Sequence, residues 1–285
     1  MNIRVWAGLV ALTTAGVGSL IAWSVEDQRQ HPTPIAEVIA AAPTQVPTEF
    51  RAPTASPWVP GTAVTITKTL PEPGETIQVG QCTIAYSFTA HDRTFAVTAS
   101  HCGVPGDHVW ATVDGVEADF SAPVGQFLYS DLYDEASSRL DVGIIEVSNP
   151  WHPMMTPATT VPTVVAEMVG ELPETICKYG MTTGETCGPP INPTGVEILA
   201  DHNGVELRAV AATAAVCARA GDSGGPVYAE LDGQRVIIGL VSGTRDAAQE
   251  HSCADPEAGP MTMSYTSMPA IQTVIDRVIP EAEYQ

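Results

Sequence analysis

The chain has 285 residues, with 33 acidic against 12 basic side chains and a formal net charge of −21. That balance excludes a nucleic-acid-binding surface, which needs clustered lysine and arginine, and a polybasic contact with anionic lipid heads. Charged residues are only 16% and hydrophobic ones 44%, which excludes a disordered chain, while 24 glycines and 24 prolines point to short strands and many turns.

Val5 to Val25 is an almost uninterrupted run of apolar or small residues, preceded by Arg4 and followed by Glu26 and Asp27. It has the length of a membrane span, roughly 20 residues. Its flanks also suit a secretory signal. No A-x-A cleavage site follows the run directly; Ala40-Ala41-Ala42 has the composition but lies far downstream. An uncleaved single-span anchor over residues 1–25 is therefore expected in preference to a cleaved signal peptide. Either one places the remainder of the chain outside the cytoplasm. Residues 26–60 hold seven prolines and no glycine. They cannot bury enough apolar surface to fold and are read as an extended linker, a stalk below the domain that follows.

Residues 61–285 form the expected folded part. Strands are predicted at Thr83–Thr89, Thr94–Ser100, His108–Val113, Val142–Val147, Val205–Val210, Pro226–Ala229, Val236–Val241 and Met261–Tyr265. Asp114-Gly115, Asn203-Gly204 and Asp232-Gly233 supply turns between some of them, which together read as an all-β barrel or sandwich. Only Met268–Ile279 has helical spacing, through Ile271, Val274, Ile275, Val278 and Ile279, and Pro280 stops it. All six cysteines, Cys82, Cys102, Cys177, Cys187, Cys217 and Cys253, lie in this part. Their even number in an oxidising compartment favours disulfides. Zinc is the alternative, although no C-x₂-C or H-x₃-H spacing supports it.

Three short strings carry chemistry. Gly221-Asp222-Ser223-Gly224-Gly225-Pro226 is the most specific. A nucleophilic serine needs its hydroxyl exposed on a tight turn, and flanking glycines permit that backbone. Successive N–H groups in such a turn can converge on one negative oxygen. Phe95-Ala96-Val97-Thr98-Ala99-Ser100-His101-Cys102 is an apolar strand running into an imidazole, the side chain best suited to take a serine proton near neutral pH. Leu140-Asp141-Val142-Gly143-Ile144-Ile145 sets an acid at the mouth of an apolar strand, a semi-buried place suited to orienting an imidazole. Asp131, Asp134 and Glu135 compete for that role, but their polar run reads as a solvated loop.

These strings, in the order His101, Asp141, Ser223, resemble the chymotrypsin family of serine proteases over about residues 62–280. The stretch Cys217-Ala218-Arg219-Ala220-Gly221-Asp222-Ser223, and the loop Cys177 to Gly184 with Cys187-Gly188, resemble the bacterial branch of streptogrisins and α-lytic protease. The resemblance implies two antiparallel β-barrels side by side, about 61–155 and 165–266, with a C-terminal helix at about 268–279. It implies a triad of His101, Asp141 and Ser223, an oxyanion hole from the backbone of Gly221 and Ser223, and Ser242 supporting the aspartate. It also implies disulfides Cys82–Cys102, Cys177–Cys187 and Cys217–Cys253. Lys178 stands where the branch usually has an arginine, so a Lys178–Asp222 ion pair and no zymogen-type cleavage are expected. The branch carries a long folded pro-region, and nothing in residues 26–60 matches one.

The implied activity is an extracytoplasmic serine endopeptidase acting on polypeptides, a monomer needing no metal or cofactor. Ala218, Val241 and Gly243 would line a specificity pocket favouring an apolar residue before the scissile bond; Arg219 would favour an acidic one if it faces that pocket. Two rivals stand beside this reading: an inactive protease-fold binding or scaffold module, and an esterase. The esterase is disfavoured because the serine string is flanked by strands rather than by a strand and a helix.

Overall fold

The computed structural model describes residues 49–51, 57–74, 76–114, 117–168, 171–200, 204–244, 253, 261–280 and 282. The expected anchor, most of the expected linker and the Asp114-Gly115 and Asn203-Gly204 turns fall wholly or partly outside them. Among the described residues no helix is long and apolar enough to cross a membrane.

Over the described residues the protein is all-β with one C-terminal helix. An eight-stranded sheet follows the order Gly80–Thr83, Ala63–Thr67, His108–Thr112, Gly125–Ser130, Gly143–Val147, Arg93–Thr98, Tyr86–Ala90, with Ala118–Asp119 added beside His108–Thr112. A nine-stranded sheet follows Gly184–Gly188, Ile176–Gly180, Pro226–Leu231, Gln234–Thr244, Met263–Ser267, Glu206–Ala214, Pro190–Ala200. Val165–Met168 joins it through a parallel contact of Val165 with Ile237, and Glu49–Arg51 pairs with Val165–Met168. Among the described residues every other pairing of two strands is antiparallel, and an isolated parallel bridge joins Leu140 to Val210.

The strands form where the residue pattern demands burial. Arg93–Thr98 lies between two neighbours, and Phe95, Ala96, Val97 and Thr98 are all buried. A strand covered on both faces reads as a continuous apolar run rather than an alternating one. Its partner Gly143–Val147 buries Ile144 and Ile145, and Glu146 at the edge pairs with Arg93 at 2.7 Å. Asp232 and Gly233, with φ of 51° and 77°, make the tight turn between Pro226–Leu231 and Gln234–Thr244. His91 and Asp92 make the equivalent turn at φ of 46° and 58° with no glycine to announce it. The predicted strand Thr83–Thr89 is two strands, Gly80–Thr83 and Tyr86–Ala90. Between them Ile84 and Ala85 redirect their N–H groups to Thr62 and Val97.

The helix α1, Met268–Val278, has Pro269 in its first turn, where a missing N–H costs nothing. It buries Met268, Ile271, Val274 and Ile275 in one core with Tyr86, Phe88 and Ile144 of the eight-stranded sheet. A second core gathers Ile176, Val227, Ile238 and Tyr265 inside the nine-stranded sheet.

The folded part begins earlier than residue 61. Glu49–Arg51 is a strand, and Trp58 and Pro60 are buried. The Trp58 N–H donates to Ser87 Oγ at 3.0 Å, and Ser87 Oγ donates back to the Trp58 carbonyl at 2.8 Å. Proline-rich composition does not keep this end of the linker in solvent, because one indole finds a place in the first core and carries its neighbours with it.

Candidate active site

Each of the three chemical strings ends at the same place. The apolar strand Arg93–Thr98 leads into a single 3₁₀ turn, Ser100–Cys102, which carries His101. A disulfide from Cys102 to Cys82 fastens that turn to the strand Gly80–Thr83. The Ser100 hydroxyl accepts the Leu132 N–H at 3.0 Å and fixes its other flank. Asp141 sits just before the strand Gly143–Val147 and is fully buried. Its Oδ1 accepts the backbone N–H of His101 at 3.0 Å, and its Oδ2 lies 2.9 Å from His101 Nδ1. On the far side of the ring, Nε2 lies 2.9 Å from Ser223 Oγ. A buried carboxylate, an imidazole and a hydroxyl thus form one connected line in which a proton can pass from Oγ to Nε2.

Ser223 is held by a turn that only glycine permits at two points. Gly221 has φ of +94° and Gly224 φ of +81°. A side chain on Gly224 would collide with Thr98 and with the Thr83 carbonyl. The Gly224 N–H donates to the Val241 carbonyl at 2.7 Å, and the Ser223 carbonyl accepts the Thr83 N–H at 2.8 Å. Thr83 also donates its hydroxyl to the Gly221 carbonyl at 2.7 Å and accepts the Met181 N–H at 3.0 Å. Thr83 is thus a hub of the site, with no signal in the sequence beyond its place at a strand end.

The carbonyl of Ala220 accepts the Thr182 hydroxyl at 2.7 Å. In a trans peptide the C=O and the following N–H point opposite ways, so the Gly221 N–H faces away from Thr182. The N–H groups of Gly221 and Ser223 have no hydrogen-bond partner among the described residues, and both residues line the cleft with His101. Two unspent donors beside a serine hydroxyl could receive a developing negative oxygen.

Asp222 lies beneath this turn, fully buried with Lys178. The Lys178 ammonium is 2.9 Å from Asp222 Oδ2 and also donates to the Gly184 carbonyl at 3.0 Å and to the Thr183 hydroxyl. Asp222 Oδ1 accepts the N–H groups of Thr182 and Thr183, each at 3.0 Å. Its Oδ2 also accepts the Thr183 hydroxyl at 2.5 Å and the Arg219 N–H at 2.9 Å. Burial pushes the Lys178 ammonium below its ordinary range, and the Asp222 carboxylate works against that shift. Both ions have their hydrogen-bonding capacity filled, the condition under which a buried pair is tolerated.

The cleft has a volume of about 460 Å³ and is lined on the strand side by Ala218, Val241, Ser242 and Gly243. Ser242 departs from its expected role. Its hydroxyl bonds Thr266 at 2.9 Å, and no hydrogen bond joins it to Asp141 among the described residues. The reason is register: in the pairing of Gln234–Thr244 with Met263–Ser267 a bulge falls between Val241 and Gly243 and leaves Ser242 facing a threonine. Asp131 departs too, since it is fully buried rather than solvated. It accepts the Tyr129 hydroxyl at 2.9 Å and the Leu140 N–H at 2.8 Å, and pairs with Arg277 of α1. It therefore braces the segment before Asp141 without touching His101. Asp134 is half-buried against the Tyr129 hydroxyl, and Glu135 is exposed.

Two further disulfides shape the same region. Cys177–Cys187 spans directly opposed residues of Ile176–Gly180 and Gly184–Gly188. Cys217–Cys253 holds the segment leading to Ser223. Among the described residues no group of three or more His, Cys, Asp or Glu could hold a metal ion.

A family model described as Trypsin matches residues 76–258. No relative is found among curated proteins. Several solved structures are similar. Thermobifida fusca Protease A shares 17% identity over 76% of this chain and 95% of its own, with a TM-score of 0.47. Nocardiopsis Protease (NAPase) shares 18% identity over 77% of this chain and 95% of its own, with a TM-score of 0.48. The chymotrypsin of Cellulomonas bogoriensis shares 19% identity over 77% and 94%, with a TM-score of 0.44.

Proposed function

We propose, because this chain belongs to the trypsin family and is a serine-type endopeptidase, that His101, Asp141 and Ser223 are its triad and that it acts outside the cytoplasm. The observation that carries the triad is the unbroken line from Asp141 through His101 to Ser223 Oγ, with both links at 2.9 Å. Ser223 Oγ attacks the scissile carbonyl carbon and its proton moves to His101 Nε2. The Oγ–C bond forms, and the negative oxygen is received by the N–H groups of Gly221 and Ser223. His101 then gives its proton to the departing amine as the C–N bond breaks. Water, deprotonated by the same imidazole, cleaves the acyl ester and restores Ser223. Asp141 holds the ring in place and balances the imidazolium charge. Each oxyanion donor contributes about 3 kcal/mol to lowering the barrier.

The two sheets are read as the two barrels of this fold, the first giving His101 and Asp141 and the second Ser223. Three disulfides support an oxidising location, since such bridges persist outside the cytoplasm. Residues 1–25 are read as the anchor, or as a signal peptide, that leads there. The protein is read as a monomer, with the buried Lys178–Asp222 pair ordering the serine turn without a new N-terminus. For the residue before the scissile bond, the small walls at Ala218, Val241 and Gly243 favour an apolar side chain, and the guanidinium of Arg219 favours an acidic one.

The test is cleavage of a peptide library by the full chain and by its Ser223→Ala variant. Cleavage by the parent is expected to fall at least about 10³-fold in the variant, because the nucleophile is gone and only binding and oxyanion stabilisation remain. Cleavage unaffected by the substitution would refute the triad, and no cleavage at all would leave a binding module on a protease fold.

Thr182 gives a second expectation. Thr182→Val keeps the shape but removes the hydroxyl that holds the Ala220 carbonyl. The peptide before Gly221 then loses its anchor, and kcat should fall about 10-fold with little change in KM, a loss near the ~1.4 kcal/mol of one good hydrogen bond. Steady-state kinetics on any accepted peptide reads this, and an equal rise in KM would instead mean that Thr182 serves substrate binding.

A further inference from the structure

The cleft contains one group that the triad does not use. Arg219 is half-buried and lines the cleft with Ser223. Its Nη2 is buried and has no hydrogen-bond partner among the described residues. A guanidinium stays charged at every physiological pH and offers five donors, so a buried, unanswered one is costly.

Other cations among the described residues are answered. Arg93 is answered by Glu146, Arg235 by Glu185, Arg277 by Asp131 and Lys178 by Asp222. Arg139 donates to the Leu132 carbonyl at 3.0 Å, and Arg208 is exposed to water. The described lining of the cleft offers Arg219 no carboxylate. Its walls there are formed by small and apolar residues such as Ala218, Leu199, Val241 and Gly243. Asp222, the nearest acid in sequence, takes the Arg219 backbone N–H, and its oxygens are already occupied by Lys178, Thr182 and Thr183. The hydroxyl of Ser242 is engaged with Thr266.

Arg219 also stands close to the reacting centre. Its carbonyl accepts the Asp222 N–H at 2.9 Å, which folds the segment back so that Arg219 and Ser223 border one cleft. We infer that Arg219 selects a substrate carrying a carboxylate on the side chain immediately before the scissile bond. The small walls Ala218 and Val241 leave room for the stem of such a side chain. The carboxylate supplies the missing acceptor, in the bidentate geometry that arginine favours. An apolar side chain in the same place would seal the guanidinium further from water and leave it unpaired. This inference rests on Ser223 being the nucleophile.

The test uses the full chain and peptides blocked at both ends, so that a side chain supplies the only carboxylate. The peptides differ only before the scissile bond, as Glu, Asp, Gln, Leu or Phe. A fluorophosphonate that labels activated serines reports the folded, competent fraction. The expected result is a kcat/KM for Glu or Asp about 10- to 100-fold above Gln and Leu, the size of a charge-assisted pairing that the isostere cannot make. Arg219→Gln should bring the Glu-to-Gln ratio to about one while labelling of Ser223 persists, and Arg219→Lys should keep part of the preference. A preference for Leu or Phe with Ser223 still labelled would overturn the role of Arg219 and leave the protease reading intact. So would a Glu preference unchanged in Arg219→Gln. Cleavage that survives Ser223→Ala would overturn both.

Discussion

Asp141→Asn is expected to lower kcat about 10⁴-fold while leaving the fold and KM nearly unchanged. The two oxygens of Asp141 do different things: one accepts the backbone N–H of His101 at 3.0 Å, the other faces ring Nδ1 at 2.9 Å. An asparagine has one oxygen and one amide nitrogen. The backbone N–H is a fixed donor, so the oxygen must turn to it and the NH₂ must turn to Nδ1. An NH₂ can only donate, which makes Nδ1 an acceptor and moves the ring proton to Nε2. A protonated neutral ring presents Nε2–H to Ser223 and cannot take its proton, a tautomer fault known to cost about that factor in this type of triad. Because the side chain stays isosteric and hydrogen-bonded, thermal unfolding should shift little. Peptide kinetics beside a melting curve reads the outcome. A fall in kcat of less than about 10-fold would mean that Asp141 is structural and that another group orients His101.

Lys178→Met should be the most damaging substitution for stability. Both Lys178 and Asp222 have no solvent exposure, and the ammonium makes three hydrogen bonds. Methionine fills much of the volume but leaves a carboxylate buried without its cation. Removing one partner of a buried pair costs about 3–5 kcal/mol, more than the pair contributes over a neutral replacement, because the remaining charge is stranded. In a domain of this size that corresponds to a fall of about 10 °C in Tm. Activity should fall further than stability, since Asp222 also carries the Thr182, Thr183 and Arg219 N–H groups that shape the turn before Ser223. Adding Asp222→Asn should recover part of the stability, because the stranded charge is then gone. Urea unfolding of the single and double variants, compared at equal m, decides it; strictly additive losses would show that the two side chains do not act as a pair.

The parts of the site that could be recognised from the chain alone are those written in consecutive residues. The turn at Ser223 needs glycine at a backbone angle that other residues resist, so Gly221 and Gly224 stand beside it in the string. His101 and Asp141 sit at the ends of buried strands whose apolar runs are visible as such. The helix α1 shows in the spacing of Ile271, Val274 and Ile275, because one face must be apolar along its length.

Other features have no local signature. Pro190–Ala200 reads as polar and proline-broken, yet it pairs with Glu206–Ala214 through two register shifts; the pairing partner, not the propensity, makes it a strand. Thr83, Thr182 and Thr183 are unremarkable hydroxyl residues until folding brings them, 138, 38 and 39 positions away in sequence, against the serine turn. Asp131 looks solvated among polar neighbours, yet it is buried and meets Arg277 from 146 residues downstream as well as Tyr129 and the Leu140 N–H.

Composition sets a strongly acidic chain outside nucleic-acid chemistry, and the three strings mark the residues proposed to react, because strand periodicity and turn stereochemistry act within a few residues. The partners of its buried charges came from elsewhere. Which acid Lys178 meets, which hydroxyl Ser242 meets and that Arg219 Nη2 meets no acceptor among the described residues follow from strand register and loop closure over tens of residues, because a buried polar group is answered by what lies near it in space rather than in sequence.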